Sequence, residues 1–339
     1  MAMILLLAAP AGAATRLLTR PVRDVVLSRP GVASARISAT ASTQRYAVDD
    51  GTGATVAIAV TAGCQADCPN AEPQQIADFV GTLIHGPEIE LLTIQLDTPF
   101  QLGLDCGFEA EACYYSGQNR IVISGDAWTG IDGATREFVI AHEYGHHVAQ
   151  HRDSPAPFPR AIDWGPPYWS SYEHVCQGSR AGKLYPGDEG AHYFSDPGEA
   201  WAESFAHYRF PEAPVRWRWL PALRPTPAAF RAIRADTLTP WLARRSFTLT
   251  GHFRARSAAV EWLRTPLDGQ LSVRPSGLRH HSYWLILRSP AGRVLRTSRQ
   301  GLGPHRQLNY TVCGQSRLRL VVKPTHRSAS TFKLRIQRP

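Results

Sequence analysis

The segment A-H-E-Y-G-H-H, residues 141–147, carries side chains whose types and spacing could do metal chemistry. His142 and His146 are four residues apart, so on an α-helix both imidazoles project from one face and can reach one metal ion. Glu143 is turned about 100° around the helix axis, from where it can reach a metal-bound water without being a ligand. This His-Glu-x-x-His pattern predicts a zinc site in which the metal lowers the pKa of its water towards about 7 and Glu143 acts as general base.

Three other polar side chains follow closely, but their register does not suit a third ligand. A ligand this near would need a glycine that turns the chain back, and then a His or Asp three residues further on. Those two positions hold Ala149 and Arg152, and His151 and Asp153 each miss by one residue. His147 points about 100° away from the second histidine. We therefore predict that His147, His151 and Asp153 are bystanders or neighbours of the ligands.

A more distant segment, D-P-G-E-A-W-A-E-S at residues 196–204, offers a better ligand. Glu199 and Glu203 are four apart on a predicted helix, and the alanines around them permit close approach to a second helix. Glu199 would complete a His/His/Glu set and leave the fourth position to water, as catalytic zinc requires. Glu203, one turn on, would accept a hydrogen bond from a ligand imidazole. Two alternatives remain: Glu199 and Glu203 exchange these roles, or both are surface residues of an exposed helix.

The two segments together resemble the gluzincins, zincin metallopeptidases with a glutamate as third ligand, and in particular the catalytic domains of anthrax lethal factor-like peptidases. The resemblance covers residues 138–208. It implies that one zinc ion per chain is bound by His142, His146 and Glu199, that Glu143 is the base, and that the second glutamate of the distant segment lies behind a ligand histidine.

The same family implies two further features of the site. A tyrosine stands about seven residues before the glutamate ligand and polarises the scissile carbonyl; here His192 occupies that position and Tyr193 follows it, so either could donate a hydrogen bond to an oxyanion. A zincin sheet also has an edge strand that binds the substrate backbone. R-I-V-I-S, residues 120–124, is our candidate, with an internal strand as the alternative.

The metal motif lies on the strongest helix pattern of the chain. We predict a helix over residues 132–152 with Asp132 as N-cap and an apolar side that includes Ile131 and Phe138. A second helix is predicted to begin near Pro197, since proline is favoured in a first helical turn. The segment between them, residues 153–190, reads as a long loop rich in Pro, Gly, Trp and Tyr.

The elements around these helices indicate an α+β fold. Upstream, the patterns predict a strand pair around a Gly-rich turn, a helix, a strand and a hairpin near Ser116–Asn119. From Ser246 the chain alternates in eight short runs typical of a β-sandwich. We expect four segments: a signal peptide at 1–14, a poorly ordered leader or linker at 15–45, a zincin-like domain at 46–244 and a β-sandwich at 246–339.

Export is predicted by the N-terminus and by the cysteines. Residues 4–9 are apolar and small residues in A-x-A-like order follow, which is typical of a short secretory signal. Six cysteines, an even number, suggest disulfides in a secreted chain. We favour two local pairs and one long-range pair, since short loops close most easily. These pairs are Cys64–Cys68, Cys106–Cys113 and Cys176–Cys313.

The charge is unevenly distributed. Residues 209–339 carry 25 Lys and Arg and 4 Asp and Glu, a net charge of +21, whereas the preceding 208 residues carry a net charge of −12. Such asymmetry can mark a polyanion-binding module. The basic residues are scattered singly along alternating patterns, however, which also suits a solvated β surface.

The sequence thus predicts a secreted, zinc-dependent peptidase that acts on peptides or proteins. We expect no nucleic-acid partner and no membrane anchor, and an anionic cell-surface polymer is a possible partner of the basic C-terminal part. The alternative is a non-enzymatic surface or polyanion-binding protein whose metal site is vestigial or structural. Zinc-dependent hydrolysis of a non-peptide amide is a third reading.

Overall fold

The computed structural model describes residues 25–26, 41–69, 71–126, 130, 133–253, 257–276, 283–298, 307–324 and 331–339. The predicted signal peptide and most of the predicted leader lie outside these residues. Helices and sheets are both present, as expected for an α+β protein. We call residues 25–26 and 41–239 the mixed region and residues 245–338 the β region.

The mixed region is built on one six-stranded sheet in the order β1-β5-β6-β4-β3-β2. Strands β3, β4 and β6 are parallel to one another, while β2 and β5 run antiparallel to their neighbours β3 and β6. The two-residue β1 pairs with β5 in parallel. The strands are β1 (Val25–Val26), β2 (Ser42–Ala47), β3 (Thr55–Val60), β4 (Thr93–Asp97), β5 (Ala112–Tyr115) and β6 (Arg120–Ser124).

Two expectations about this sheet are wrong. R-I-V-I-S forms β6, but β6 lies between β4 and β5 and is not an edge strand. All five of its residues are buried, as suits a strand covered on both faces. The predicted leader also ends earlier than residue 45, because β2 begins at Ser42. The outer side of β5, not of β6, carries the edge strand β1.

Nine helices are found in the described part of the mixed region. Three of them, α5, α6 and α7, lie in the segment that we expected to be a long loop, so that expectation is wrong. The helices are α1 (Ala62–Asp67), α2 (Pro73–Gly81), α3 (Pro99–Cys106), α4 (Arg136–Gln150), α5 (Ala161–Trp164), α6 (Pro167–Tyr172), α7 (Val175–Arg180), α8 (Pro197–Arg209) and α9 (Pro227–Leu238). Short 3₁₀ helices span Pro87–Leu91, Tyr193–Ser195 and Pro221–Leu223.

The two long helices of the mixed region begin at side-chain caps. Helix α4 begins at Arg136, because the Thr135 hydroxyl accepts a hydrogen bond from the Phe138 amide at 3.2 Å. The predicted N-cap Asp132 is therefore wrong; Asp132 and Ile131 lie outside the described residues. Helix α8 begins at Pro197 as expected, with the Asp196 carboxylate accepting from the Gly198 amide at 2.8 Å.

The β region contains all eight predicted strands, in two four-stranded antiparallel sheets of order β11-β10-β13-β8 and β12-β9-β14-β7. Buried and exposed residues alternate along strands such as β14, and the buried sides of both sheets contribute to one apolar core. The strands are β7 (Arg245–His252), β8 (Ala259–Arg264), β9 (Gly269–Pro275), β10 (Tyr283–Arg288), β11 (Val294–Thr297), β12 (Leu308–Val312), β13 (Arg317–Pro324) and β14 (Thr331–Arg338).

Three disulfides form in the pairs that the sequence favours. Cys176–Cys313 joins α7 to the end of β12 and thereby links the two regions. Beside it, the Ser171 hydroxyl accepts a hydrogen bond from the Asp268 amide at 2.9 Å. Disulfides persist in oxidising compartments. Among the helices that the structure describes, none has the length and apolarity needed to cross a membrane.

Candidate metal centre

The site forms where α4 packs directly against α8. Gly145 makes this approach possible, since a Cβ there would stand 2.9 Å from the Ala202 Cα and 3.1 Å from the Phe205 Cβ. The buried Trp201 indole N–H donates to the Gly145 carbonyl at 2.8 Å, which fixes the two helices in register. The small residues thus bring one turn of α8 over the histidine face of α4.

The three predicted metal ligands converge at this contact. The His142 Nε2 lies 3.4 Å from one oxygen of Glu199, and the His146 Nε2 lies 3.5 Å from the other. One ligand atom from each of the three residues lies within 4.8 Å of the other two, and all three side chains are buried. Two atoms bound at about 2.0–2.2 Å to one tetrahedral ion are roughly 3.3–3.6 Å apart, so these separations fit a shared metal ion.

The chemistry of the donor set also fits a metal. Two imidazole nitrogens and one carboxylate oxygen are ligands that Zn²⁺ and several other transition metals accept. Within the described residues, neither ring nitrogen of His146 nor the Oε2 of Glu199 makes a hydrogen bond, although all are buried. Buried polar atoms are rarely left in that state, and a bound cation would satisfy the His146 Nε2 and the Glu199 Oε2.

Glu203 of α8 approaches His142 at the ring nitrogen that does not face Glu199. Its Oε2 is 3.0 Å from the Nδ1 of His142, so the Nδ1–H donates to it and the Nε2 lone pair is directed towards Glu199. Its Oε1 lies 3.5 Å from the Nε2 of His207, one turn further along α8. Glu203 therefore fixes the tautomer and the orientation of His142.

Both glutamates of α8 are held in the charged state. Burial raises the pKa of Glu199, but the positive charge and close approach of His146 and His142 outweigh it and lower the pKa to about 2. Burial likewise raises the pKa of Glu203, but hydrogen bonds with His142 and His207 have the larger effect. The pKa of Glu203 is therefore lowered overall. A carboxylate that stays ionised is the form that binds a metal.

Glu143 is completely buried on α4, next to the first ligand. Its neighbour across the helix–sheet contact is Tyr114 of β5, whose pKa is raised first by burial and then by the charge of Glu143. The Tyr114 hydroxyl is also 2.9 Å from the Nδ1 of His147. Strand β5 and the side of α4 that carries Glu143 therefore face each other.

The two candidates for oxyanion stabilisation have different surroundings. The His192 ring stacks on Tyr185 with centroids 3.6 Å apart, and its Nδ1 is 2.6 Å from an Asp188 oxygen. Tyr193 is buried, and its ring centroid lies 6.0 Å from that of Trp219. Trp219 in turn packs against the ligand His142 at 6.2 Å. Tyr193 thus belongs to the aromatic wall beside the metal ligands, whereas His192 contacts the loop that precedes it.

The remaining polar side chains of the α4 segment have structural partners. The Nε2 of His147 lies 2.8 Å from the Glu88 carbonyl, and burial lowers the pKa of His147 to about 3, so it is neutral. The Nε2 of His151 lies 3.0 Å from the Asn119 side chain, and Asp153 is exposed. None of these three belongs to the described group that could hold a metal.

Two neighbours of the site were not predicted from the sequence. Trp219 lies in a proline-punctuated segment without periodicity, where only the R-W-R-W-L run at 216–220 hints at an aromatic cluster. His207 follows Glu203 at the helical spacing of four, which is the signal that could have identified it. Its ring also packs edge-on against Phe138 with centroids 5.3 Å apart.

No protein-family model and no curated protein matches this chain. Three solved structures show a limited likeness to it. The pre-peptidase C-terminal domain of a Bacillus anthracis collagenase is 11% identical, over 27% of this chain and 88% of that domain, with a TM-score of 0.23. The Yersinia pseudotuberculosis-derived mitogen is 15% identical (28% and 87%, TM-score 0.23), and the Aeromonas hydrophila periplasmic lysozyme inhibitor PliG is 12% identical (28% and 84%, TM-score 0.22). Likenesses at this level carry no argument about function.

Proposed function

We propose that this protein is a zinc-dependent peptidase of the gluzincin type. The observation that supports it best is the convergence of His142, His146 and Glu199 at the contact of two helices, at separations that suit one tetrahedral ion. A histidine cluster without such a role would not require a buried carboxylate from a second helix. The buried Glu143 beside the cluster supports catalysis rather than a purely structural metal site.

A bound zinc ion would supply Lewis acidity, polarising the scissile carbonyl and lowering the pKa of water. The chain's own residues do the rest. Glu143 accepts a proton from the attacking water on its carboxylate and then delivers it to the nitrogen of the leaving amine. Glu203 keeps the Nδ1 proton on His142, so that the Nε2 stays available for the metal. Tyr193 or His192 donates a hydrogen bond to the developing oxyanion.

A peptide substrate is supported by the sheet next to the site. The outer side of β5 already pairs with an extended segment of this chain, Val25–Val26, in register with Cys113 and Tyr114. An edge that accepts this extended segment can accept a substrate backbone in its place through main-chain hydrogen bonds. Since β5 faces the side of α4 that carries Glu143, a peptide bound there would run past the base.

Export is part of the proposal. The three disulfides support folding in an oxidising compartment, and the predicted signal at residues 1–14 would direct the chain there. Mass spectrometry of the protein from the culture medium of a producing bacterium tests this, since the mature chain should begin near residue 14 or 15.

The direct test of function is cleavage of a proteome-derived peptide library. Wild-type protein should cut it, and Glu143→Gln should lower the rate about 10²–10⁴-fold, because the general base is lost while the side-chain shape is kept. Glu137→Gln, on an exposed part of the same helix, is the matched control and should leave the rate unchanged. Unchanged cleavage by Glu143→Gln would overturn the mechanism. Absence of cleavage by the wild type, with amide-bearing small molecules cut instead, would favour a non-peptide substrate.

A further inference from the structure

One face of the β region concentrates cations and aromatic rings. Along β8, β13 and β10, the residues that alternate with the buried core positions form cross-strand rows on the outer side of the sheet. One row pairs Arg264 with Arg317, and the next aligns Trp262 with Arg319 and then Arg288. We call this surface the basic face; its members are Arg264, Trp262, Val260, Arg317, Arg319, Val321, Lys323, Trp284, Ile286 and Arg288.

The charges of this face are not balanced by acidic groups. Two of its rows put arginine opposite arginine, and like charges directly opposite each other on a sheet are destabilising. The face holds five cations and, among its described residues, no Asp or Glu. From residue 246 to the C-terminus the sequence carries 17 Lys and Arg and only two acidic residues. Of these, Glu261 alternates with Trp262 and so lies on the other side of β8, and Asp268 is buried.

The aromatic rings stand among these cations. Trp262 is 48% exposed, and the guanidinium groups of Arg317 and Arg319 lie over its ring at 4.8 and 5.6 Å from the centroid. Trp284 is 36% exposed and is the cross-strand partner of Lys323. Cation–π contact holds the guanidinium groups close to the indole and so limits their freedom before any ligand arrives.

The second sheet also carries cations on its outer side, including one arginine opposite another, but it has no tryptophan among them. On its outer side Lys333 stands opposite Thr250, and Arg335 stands opposite Thr248 on one flank and Arg274 on the other. The Arg335 Nε also donates to the Ser246 hydroxyl at 3.2 Å. The region has two tryptophans, and both lie on the basic face.

We infer that the basic face binds an anionic polysaccharide, an extended chain of sugar rings that carry carboxylate or sulfate groups. The guanidinium groups match such anions in charge and geometry, and would relieve their mutual repulsion by binding them. The exposed indoles offer flat apolar surfaces on which the C–H face of a sugar ring can lie. Nucleic acid would satisfy the same charges, but the three disulfides favour an oxidising compartment, and outside the cell polysaccharides are abundant polyanions.

This inference does not depend on peptidase activity, because none of its residues belongs to the metal centre. The test uses full-length protein and four immobilised polymers: polygalacturonate, dextran sulfate, neutral dextran and single-stranded DNA. Wild-type protein should bind the first two, with an affinity that falls steeply as salt rises, and should not bind neutral dextran.

Matched variants distinguish binding by the basic face from a general effect of net charge. Arg317→Gln/Arg319→Gln should weaken binding to the two anionic polysaccharides at least tenfold, whereas Lys333→Gln/Arg335→Gln, with the same loss of charge on the second sheet, should weaken it at most threefold. Trp262→Ala should weaken binding about fivefold and leave its salt dependence unchanged. Circular dichroism melts identify any variant that fails to fold, and for such a variant Arg288→Gln/Lys323→Gln replaces the first pair.

Three results would overturn the inference. If both double variants weakened polysaccharide binding equally, binding would depend on the net charge of the protein and not on the basic face. If wild-type protein bound neither polygalacturonate nor dextran sulfate, anionic polysaccharides would be excluded as ligands of the basic face. Tighter binding to single-stranded DNA than to both polysaccharides would assign the face to nucleic acid instead.

Discussion

The mixed region and the β region treat polar side chains in opposite ways. In the mixed region, five ionisable groups are buried where α4 and α8 meet. In the β region the core cluster consists of thirteen Leu, Val, Ile and Phe side chains, and the one buried acid among its described residues, Asp268, lies in the turn between β8 and β9. The buried groups of the mixed region are His142, Glu143, His146, Glu199 and Glu203.

The difference indicates where catalysis and where binding can take place. Burying charged groups costs free energy unless they are paired or bind a metal. The five groups at the contact of α4 and α8 therefore lower stability unless they are paired, and under the proposed function they are the groups that do the chemistry. The cations of the basic face of the β region stay in contact with water, so they do not lower stability through burial. The β region can bind a partner there, but its described residues include no group that could hold a metal ion.

The first prediction concerns a substitution that destabilises the core of the β region alone. Leu320 is fully buried among residues of both sheets, and Leu320→Ala should destabilise the region by about 2–5 kcal/mol. Hydrogen exchange followed by mass spectrometry should show faster exchange in residues 245–338. Metal content and peptide cleavage should stay at wild-type levels. A parallel loss of cleavage would contradict the separation of roles between the regions.

The second prediction concerns the contact that assembles the metal centre. Gly145→Ala would place a Cβ 2.9 Å from the Ala202 Cα, so α8 must shift and carry Glu199 away from the two histidines. We expect a net destabilisation of about 2 kcal/mol and a metal affinity lowered at least tenfold, measured by competition with a chromophoric chelator. Gly117→Ala is the control, since its Cβ would meet nothing within 4 Å. Wild-type affinity in Gly145→Ala would show that helix spacing does not position Glu199.

The third prediction uses pH to compare the regions. Burial, and then the charge of Glu199, raises the pKa of Asp196 to about 8, and burial raises that of Asp236 to about 7. Because these acids keep their protons longer in the folded state, their contribution to stability is lost as pH rises through the folded-state pKa. Between pH 6.5 and 8.5 the mixed region should lose on the order of 1–2 kcal/mol.

The measurement is hydrogen exchange at several pH values, corrected for the intrinsic rate. The β region should change less over this window, since the pKa of its buried Asp268 is raised only to about 6. Asp196→Asn, which keeps an oxygen at the helix N-cap, should flatten the upper half of the profile of the mixed region. If the stability of the mixed region in wild-type protein rose with pH over this window, the conclusion that Asp196 and Asp236 are protonated in the folded state would be contradicted.

The sequence predicted the ligand helices well because their information is local. The spacing of four places His142 with His146, and Glu199 with Glu203, on single helix faces whatever else the chain does. The eight strands of the β region were equally local, since alternation and turn residues define each one. The mutual approach of α4 and α8 is encoded by small residues such as Gly145 and Ala202.

What the sequence did not predict depends on distant partners. The position of β6 inside the sheet is set by strand order, which its own five residues do not encode. Asp132 and Thr135 are both of residue types that cap helices, so their types alone do not decide between them. Helix α6 is capped by the Asp236 carboxylate, which accepts from the Tyr168 and Trp169 amides across more than sixty residues. Trp219 reaches His142 in the same non-local way.

The central claim is that two histidines of α4 and one glutamate of α8 hold a single catalytic metal ion. Metal content per chain, measured by mass spectrometry after exhaustive dialysis, tests it most directly. Wild-type and Glu143→Gln protein should each retain one zinc ion, Glu203→Gln should retain it with affinity lowered about 10–100-fold, and Glu199→Ala should lose it. A Glu199→Ala protein that keeps its zinc, or a wild type that binds none, would contradict the account.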